Sequence, residues 1–354
     1  MGKIAIVLCE DVHTCPYLGK YLDICAKKSV EYDVLHWDRK GGEEEFPQNY
    51  RGFSEKADLY APKWKKLFGF LRFGRFLHKT IKQEKYDKLI VLTTLPAVLC
   101  YSLLMGRYRR KYIFDFRDLS FENNKLFLCC VQKICDNAAF ACVSSPGYME
   151  FLGRQSLVSV HNFRYEDLEH KKDTAEAVAG KINLVHVGVG RGDENNKLIA
   201  DAFGNDPRFH VTIIGRRNDT PAFVEYVKKY SNITVGGTYD NAEKEKYIKE
   251  ATMLLCYYPG NFNGAKALAN RHYDGIIYKK PLLGNIETYG GRRIMERGLG
   301  ISLCLRDADA ADRVYDYISQ LDMQAYNEMA EKELAVVLEE DKQYLQKIVD
   351  FLDS

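Results

Sequence analysis

A glycine-rich segment in the second half of the chain is the first candidate for chemistry. The letters HVGVGRG end a predicted strand, and DENNK begins the helix that follows. Glycines at such a turn, here Gly188 and Gly190, let backbone N–H groups approach an anion, and the helix N-terminus adds partial positive charge. Arg191 and Lys197 add side-chain donors suited to a diphosphate. The segment predicts an anion-binding turn, with a plain tight turn as the alternative.

A dinucleotide cofactor fits this turn poorly. The spacing G-x-G-x-G differs from the G-x-G-x-x-G fingerprint, which also needs an acidic residue after the second strand. In this chain the second strand ends in Gly215-Arg216-Arg217. We therefore count Arg216 among the candidate anion-binding residues and expect no resident cofactor.

The segment AKALANRHYDGIIYKKPLL (265–283) carries a second group of candidates. Asn270, Arg271 and Asp274 lie in a predicted helix, and Lys280-Pro281 precede a strand. This pattern resembles the donor-binding element of GT-B glycosyltransferases, especially the family 4-like enzymes of capsule, O-antigen and exopolysaccharide assembly. Those enzymes often carry NK-x-x-E-Y-x-x-x-x-K-P at this point.

Other motifs of that family follow in the same order along nearly the whole chain. The glycine-rich segment resembles the family's phosphate turn. Lys111–Asp118 (KYIFDFRD) resembles the strand that ends in D-x-R-D, and Ala141–Ser145 with Val160–Phe163 resembles the exit of the first domain. The chain departs from the family at Lys266, where the motif Glu-x7-Glu has its first Glu.

The resemblance implies a role for each candidate in binding a nucleotide-sugar donor. Arg271, Lys197 and Arg191 would neutralise charge developing on the diphosphate leaving group. Asp274 would accept hydrogen bonds from ribose hydroxyls, and Asn263, in the loop after a strand, would contact the sugar. For Arg271 and Asp274 the alternative is a solvated helix face with an i, i+3 ion pair.

The first strand is followed by Glu10-Asp-Val-His13, which offers a candidate base. An inverting transfer needs such a base, and His13 is placed like the base of some inverting GT-B enzymes. In a retaining transfer the donor phosphate takes the proton, and His13 orients the acceptor. Asp118 and Asp115 are further catalytic candidates, and an exposed loop histidine is the alternative for His13.

Metal ligands are not predicted. The one D-x-D sequence, Asp307-Ala-Asp309, follows a strand and opens a helix, where acidic residues cap the helix and suit its dipole. The ten cysteines include no C-x-x-C pair, and we interpret them as free thiols of a reducing compartment. We expect a metal-independent site.

The segment Pro62–Lys88 carries nine Lys and Arg residues against two acids. Aromatic and leucine residues recur in it near helical spacing, as in a basic amphipathic helix at a membrane surface. A helix packed on the sheet with a basic outer face is the alternative. The candidate membrane or acceptor residues are Lys63, Trp64, Lys65, Phe68, Leu71 and Arg72.

Short apolar strands alternate with helices throughout, which predicts parallel sheets buried on both faces. We expect an α/β protein of the GT-B class, with two doubly wound Rossmann-like domains facing a cleft. The expected parts are an acceptor domain (1–165), a linker (166–181), a donor-nucleotide domain (182–324) and a final helix (325–354) that returns to the first domain. The uncharged stretch 89–106 is broken at Thr93-Thr-Leu-Pro96, so we interpret it as a buried strand and a helix started by a hydroxyl cap.

Composition limits the partners. The 354 residues are 46% hydrophobic and 28% charged, as in a folded soluble protein. The net charge of +2 gives no general attraction to nucleic acid, although residues 1–170 have 26 basic against 21 acidic residues.

Together these features predict a glycosyltransferase that moves a sugar from a UDP- or GDP-linked donor to a growing glycan in surface polysaccharide biosynthesis. The expected acceptor is carried on a polyprenyl diphosphate, and the expected location is cytoplasmic, peripheral on the inner face of the cell membrane. A non-catalytic nucleotide- or glycan-binding protein is one alternative. A nucleotide-sugar epimerase or dehydrogenase is another.

Overall fold

The computed structural model describes residues 2–9, 12, 15, 17–42, 45–56, 63–172 and 180–354, without the side chains of Lys63, Trp64, Lys65, Lys172 and Asn241. The chain divides into two compact units. Unit 1 comprises Met1–Val160 with Glu340–Ser354, and unit 2 comprises His161–Glu339.

Unit 1 is built on a seven-stranded parallel sheet in the order β3-β2-β1-β4-β5-β6-β7. The central strands are apolar and buried along their length, as expected for strands covered on both faces. The strands are β1 (Ile4–Val7), β2 (Tyr32–Asp38), β3 (Tyr50–Ser54), β4 (Lys88–Leu92), β5 (Tyr112–Phe116), β6 (Phe140–Val143) and β7 (Val158–Ser159).

Right-handed crossovers place the unit 1 helices that connect β3 to β6 on one face of the sheet and α1 (Leu18–Lys27) on the other. The end of the last helix packs beside α1, where Lys20 pairs with Asp341 at 2.7 Å and Tyr344 joins the core cluster of Tyr21. The helices are α1 (Leu18–Lys27), α2 (Lys63–Glu84), α3 (Thr94–Leu99), α4 (Tyr101–Met105), α5 (Lys125–Asn137) and α6 (Pro146–Leu152).

Unit 2 has a six-stranded parallel sheet in the order β10-β9-β8-β11-β12-β13, preceded by a 3-10 helix, Glu166–Lys172. Its strands are β8 (Ile182–Val187), β9 (Phe209–Ile214), β10 (Ile233–Gly236), β11 (Met253–Cys256), β12 (Leu282–Asn285) and β13 (Gly300–Leu303). Its helices are α7 (Asp193–Phe203), α8 (Pro221–Val227), α9 (Asn241–Glu250), α10 (Asn270–Tyr278), α11 (Tyr289–Glu296), α12 (Ala310–Ser319) and α13 (Met323–Asp353), the last of which ends in unit 1.

The prediction of two doubly wound parallel sheets is confirmed. One strand, β3, was not predicted from the sequence, because its residues YRGFS are not a continuous apolar run, are partly exposed and include Gly52. It is the edge strand of its sheet, where burial on both faces is not required.

The uncharged stretch 89–106 forms β4 followed by two short helices, α3 and α4, which meet at Cys100. Among the described residues no helix is long and apolar enough to cross a membrane. The expected hydroxyl cap is wrong in detail. Thr93 precedes α3 with φ of 71° and its side chain makes no capping hydrogen bond.

Candidate functional site

The glycine-rich turn joins β8 to α7, and its two expected backbone donors are already used. The N–H of Gly188 donates to the carbonyl of Ile214 (3.0 Å), and the N–H of Gly190 donates to that of Arg216 (2.9 Å). These two N–H groups are therefore bonded within the protein, and a role of Gly188 and Gly190 in donor binding stays a prediction. The bonds fasten the β8–α7 turn to the β9–α8 turn beside it.

Close backbone contact explains why glycines occupy these turns. A Cβ on Gly215, which has φ of 130°, would lie 2.1 Å from the carbonyl oxygen of Gly188. A Cβ on Gly188, which has φ of 137°, would lie 2.6 Å from Nη1 of Arg271. Any larger residue would push the two turns apart or displace this arginine.

Arg271, in the first turn of α10, is the main cation of the site. Its Nε donates to the carbonyl of Leu255 (2.7 Å) and its Nη1 donates to that of Val187 (2.8 Å), at the carboxyl ends of β11 and β8. Its Nη2 is buried and has no hydrogen-bond partner among the described residues. Two backbone carbonyls thus fix the guanidinium while one strong donor stays unused.

Arg191 lies near the same place and is held by Tyr258, which follows β11. Its Nη2 donates to the Tyr258 hydroxyl (2.7 Å), and its Cζ lies 4.5 Å from the centre of the Tyr258 ring. The Cζ of Arg271 lies 5.7 Å from the same ring. Two guanidiniums therefore share one aromatic ring beside the turn, and this concentration of positive charge favours an anion.

Three other residues predicted to bind the sugar donor have other contacts or are exposed: Lys197, Arg216 and Asn263. Lys197 forms an exposed ion pair with Glu194 (3.0 Å), and its Nζ lies 5.3 Å from the centre of the Tyr226 ring. Arg216 and Asn263 are exposed, and Arg216 takes part in the turn through its backbone carbonyl.

Asp274, one turn after Arg271, is buried. Its Oδ1 accepts a hydrogen bond from Nζ of Lys244 in α9 (2.7 Å), and Lys244 also lies 3.5 Å from Asp167. Burial raises the pKa of Asp274, although Lys244 opposes that shift. The alternative of a solvated helix face is wrong, because Arg271 and Asp274 are only 4% and 5% exposed.

His186 and Asn218 are buried residues of the site that sequence reasoning missed. Asn218 donates from Nδ2 to the carbonyl of Gly188 (2.9 Å) and accepts from Nδ2 of Asn196 (3.0 Å). His186 is wholly buried on β8, with its ring beside the backbone of Val189 in the turn. Its position two residues before Gly188 was the available signal, whereas nothing local marked Asn218.

In unit 1, the two carboxylates considered for catalysis at the end of β5 differ in exposure. Asp115 is wholly buried, and its Oδ2 accepts from the Tyr21 hydroxyl (2.8 Å) and from Nη2 of Arg117 (2.6 Å). It is therefore a structural residue that ties α1 to β5. Asp118 is exposed, and His13 lies outside the described residues.

Helix α2 packs against unit 1 along part of its length, as in the second interpretation given for it, and its membrane role stays a prediction. Phe73, Leu77 and Ile81 are completely buried against the rest of unit 1. Phe68 and Leu71, near its start, remain 54% and 44% exposed. The predicted residue Arg72 pairs with Glu55, and the side chains of Lys63, Trp64 and Lys65 lie outside the described part.

The acidic residues before α12 do not cap that helix as expected. Asp309 occupies the N-cap position without a capping hydrogen bond, and Asp307 lies 3.4 Å from Arg313. Among the described residues, one group has three possible metal ligands close together: Glu169, His170 and Glu245, with Glu245 also 2.5 Å from Lys249.

Comparison with known proteins supplies the class of fold. The sucrose-phosphate synthase of Thermosynechococcus elongatus is similar with a TM-score of 0.72 at 13% identity, covering 99% of this chain and 100% of that one. HepE of Anabaena in complex with UDP-glucose has a TM-score of 0.65 at 12% identity and covers 100% of both chains. The lipopolysaccharide outer core galactosyltransferase WaaB has a TM-score of 0.65 at 13% identity, covering 99% of each.

No protein-family model matches the sequence, and no curated protein matches it. The likeness to solved structures extends over essentially the whole chain, and it establishes that the chain has the GT-B fold of two Rossmann-like domains. The expected fold class is thereby confirmed.

Proposed function

We propose that this protein is a metal-independent GT-B glycosyltransferase that moves a sugar from a nucleotide-sugar donor to a growing glycan. The observation that carries the proposal is the pair of arginines beside the β8–α7 turn. Arg271 holds an unused, buried Nη2 donor, and Arg191 is held on the Tyr258 ring. Such fixed cations suit a diphosphate that gains negative charge as it leaves the sugar.

Hydrogen bonds from these arginines to the leaving diphosphate are strong enough for a role in catalysis. A hydrogen bond to a charged group contributes about 1.5–3 kcal/mol, and each 1.4 kcal/mol is roughly tenfold in rate. Two protein cations can therefore do the work that a divalent ion does in other transferases. The UDP-glucose complex of HepE, which shares the fold, supports UDP as the first nucleotide to test.

The acceptor side of the proposal depends on unit 1. Asp118, exposed after β5, and His13 are the proposed groups that orient the acceptor or remove its proton. The exposed Phe68 and Leu71 at the basic start of α2 support a peripheral position on an anionic membrane. An acceptor on a polyprenyl diphosphate in capsule or related polysaccharide assembly fits that position.

A thermal-shift screen against UDP, GDP, CMP and their sugars, in the presence of EDTA, tests donor binding, since a ligand of the native state raises its stability. We expect UDP or GDP compounds to raise the melting temperature without added metal. Binding that requires Mg²⁺ or Mn²⁺ would contradict metal independence. Failure of every nucleotide to bind would reject the proposed function.

Lys266 favours a second candidate, a nucleotide- or glycan-binding protein without transferase activity. It stands where the family motif has its first Glu, and it donates to the carbonyl of Phe262 (3.2 Å). The fate of the bound nucleotide sugar distinguishes a transferase from a binding protein. Release of UDP or GDP in the presence of membrane extract indicates transfer, whereas tight binding without release indicates the binding protein.

A further inference from the structure

Glu169, His170 and Glu245 form a cluster of possible metal ligands that the proposed donor site does not use. The first two are neighbours in the 3-10 helix Glu166–Lys172, and Glu245 lies in α9. Nε2 of His170 lies 3.3 Å from Oε1 of Glu169 and 3.6 Å from Oε1 of Glu245. Two carboxylates from separate elements of unit 2 therefore meet at one imidazole nitrogen.

These two distances suit a shared cation better than hydrogen bonds. An N–H···O hydrogen bond is usually about 2.7–3.2 Å long, and an imidazole nitrogen carries at most one hydrogen. A zinc ion binds imidazole nitrogen and carboxylate oxygen at about 2.0–2.2 Å in a tetrahedron, which places its ligand atoms about 3.3–3.6 Å apart. Both nitrogen–oxygen distances of the cluster lie in that range, and its three ligand atoms all lie within 4.8 Å of one another.

The imidazole of His170 is already held in position. Its ring stacks on that of Tyr278 at the end of α10, with the ring centres 4.5 Å apart and the planes at 22°. A ligand that is fixed before binding loses little conformational freedom when the ion binds. Glu169 is mostly exposed and Glu245 partly so, which gives an ion access and lets water complete its coordination.

Lys249 is the charged group that competes with a cation at this cluster. Its Nζ lies 2.5 Å from Oε1 of Glu245, the same oxygen that faces His170, one turn further along α9. An i, i+4 ion pair between partly exposed side chains contributes little to stability, so that a metal ion displaces this ammonium group at small cost. Two carboxylates against one ammonium still leave net negative charge beside the imidazole, which favours a dication.

We propose that Glu169, His170 and Glu245 bind one transition-metal dication, with Zn²⁺ as the best fit. Imidazole nitrogen suits zinc and related metals, whereas Mg²⁺ and Ca²⁺ prefer ligand sets made of oxygen. The ion joins the 3-10 helix to α9 and thereby supports the salt bridge between Asp167 and Lys244 of the same two elements, at 3.5 Å. Its role is structural, and the site does not depend on the proposed function.

Calorimetric titration of the full chain with Zn²⁺ tests the site, in a Cys129→Ser background because the exposed thiol of Cys129 also binds zinc. This parent protein should bind Zn²⁺ more tightly than Mg²⁺, and excess zinc should raise its melting temperature by a few degrees. His170→Gln and Glu245→Gln should each weaken zinc binding at least about tenfold, since even loss of an outer-shell partner costs that much. Lys249→Met should tighten it, because a competing cation is removed.

Two control variants change the same residue types elsewhere in unit 2. His210→Gln in β9 and Glu250→Gln in α9 should bind zinc as the parent protein does. Absence of zinc binding, zinc binding that His170→Gln and Glu245→Gln leave unchanged, or equal affinity for Mg²⁺ and Zn²⁺ would each overturn the proposal. If His170→Gln does not fold in EDTA, Glu169→Gln on the exposed side chain replaces it. The nucleotide screen is run in EDTA, so none of these results alters the test of the proposed function.

Discussion

The side-chain amide of Asn218 donates to the carbonyl oxygen of Gly188 across 2.9 Å, joining the β9–α8 turn to the β8–α7 turn. The same side chain accepts a hydrogen bond from Asn196 in the first half of α7. One buried amide therefore holds together the two loops on which the arginine site is built. This contact connects residues 30 positions apart in the chain.

Replacing Asn218 by alanine should weaken nucleotide binding as well as stability. The change leaves the Gly188 carbonyl and the Asn196 amide without their partner, at a cost of about 1–3 kcal/mol. We expect UDP affinity, measured by calorimetry, to fall severalfold or more. Asn232→Ala is the matched control, because Asn232 is also buried and hydrogen-bonded but precedes β10, at the amino end of the strands and away from the site. Equal loss of affinity in both variants would show a general effect of destabilisation.

Arg271→Lys should reduce donor binding although it keeps the positive charge. The guanidinium of Arg271 donates to the carbonyls of Val187 and Leu255 and directs a third N–H in the same plane. The ammonium group of lysine cannot reproduce this fixed planar arrangement of three donors. We expect a roughly ten- to hundredfold loss in affinity or rate, from one charge-assisted hydrogen bond. Arg313→Lys, on the exposed side of α12, is the control. Wild-type affinity and rate in Arg271→Lys would exclude a directional role for this guanidinium.

Asp274→Ala should lower stability, not only activity. The ion pair with Lys244 offsets the cost of burying the Asp274 carboxylate. Without that carboxylate, the largely buried ammonium group of Lys244 keeps only Asp167, at 3.5 Å. We expect a loss of about 3–5 kcal/mol in urea unfolding. The double variant Asp274→Ala with Lys244→Met should recover much of it. A single variant as stable as the wild type would mean that the pair is solvated in solution.

Glu333 should make the protein sensitive to acid. It is 2% exposed on α13, lies 3.4 Å from Nε2 of His272 and pairs with Arg293 at 2.6 Å. Burial raises the pKa of Glu333, but His272 and then Arg293 outweigh burial and lower that pKa from 4.5 to about 2. A lowered carboxyl pKa contributes stability that is present above the unfolded value and is lost as pH falls towards the folded value. The shift corresponds to about 3 kcal/mol.

Urea unfolding of Glu333→Gln at a series of pH values checks this contribution. At neutral pH the variant should be less stable than the wild type, because Arg293 loses its buried partner. Between pH 4.5 and about pH 2 the stability difference should shrink, since the wild type loses the same charge. A difference that stays constant over that range would contradict the lowered pKa.

The start of α2 should bind anionic vesicles. Each basic residue near such a surface contributes about 1 kcal/mol, and the exposed Phe68 and Leu71 add a part that salt does not screen. Serine at Trp64, Phe68 and Leu71 should remove the salt-resistant binding in a flotation assay, and neutral residues at Lys63, Lys65 and Lys66 should weaken the rest. Serine at the exposed Val224, Ile286 and Met295 of unit 2 is the control. A wild-type protein that ignores anionic vesicles at low salt would remove the support for a lipid-linked acceptor.

Local patterns in the sequence determined the type and order of most elements. Strands such as β4 and β11 are continuous apolar runs bounded by polar residues, so that burial on both faces can be inferred from the residues alone. The glycines of the β8–α7 turn and the position of Arg271 early in a helix were visible in the same way. Such features depend on neighbours within one or two turns of chain.

The tertiary structure alone decided which groups are used and which remain unbonded. The sequence suggested that the N–H groups of Gly188 and Gly190 were available. In the structure both donate to carbonyls at the end of β9 and in the turn after it, those of Ile214 and Arg216. For Asp274 the sequence left a solvated helix face open as an alternative, and only the structure shows that Lys244 of α9 lies against it. Whether a polar group is satisfied depends on partners far away in the chain, and local periodicity contains no information about them.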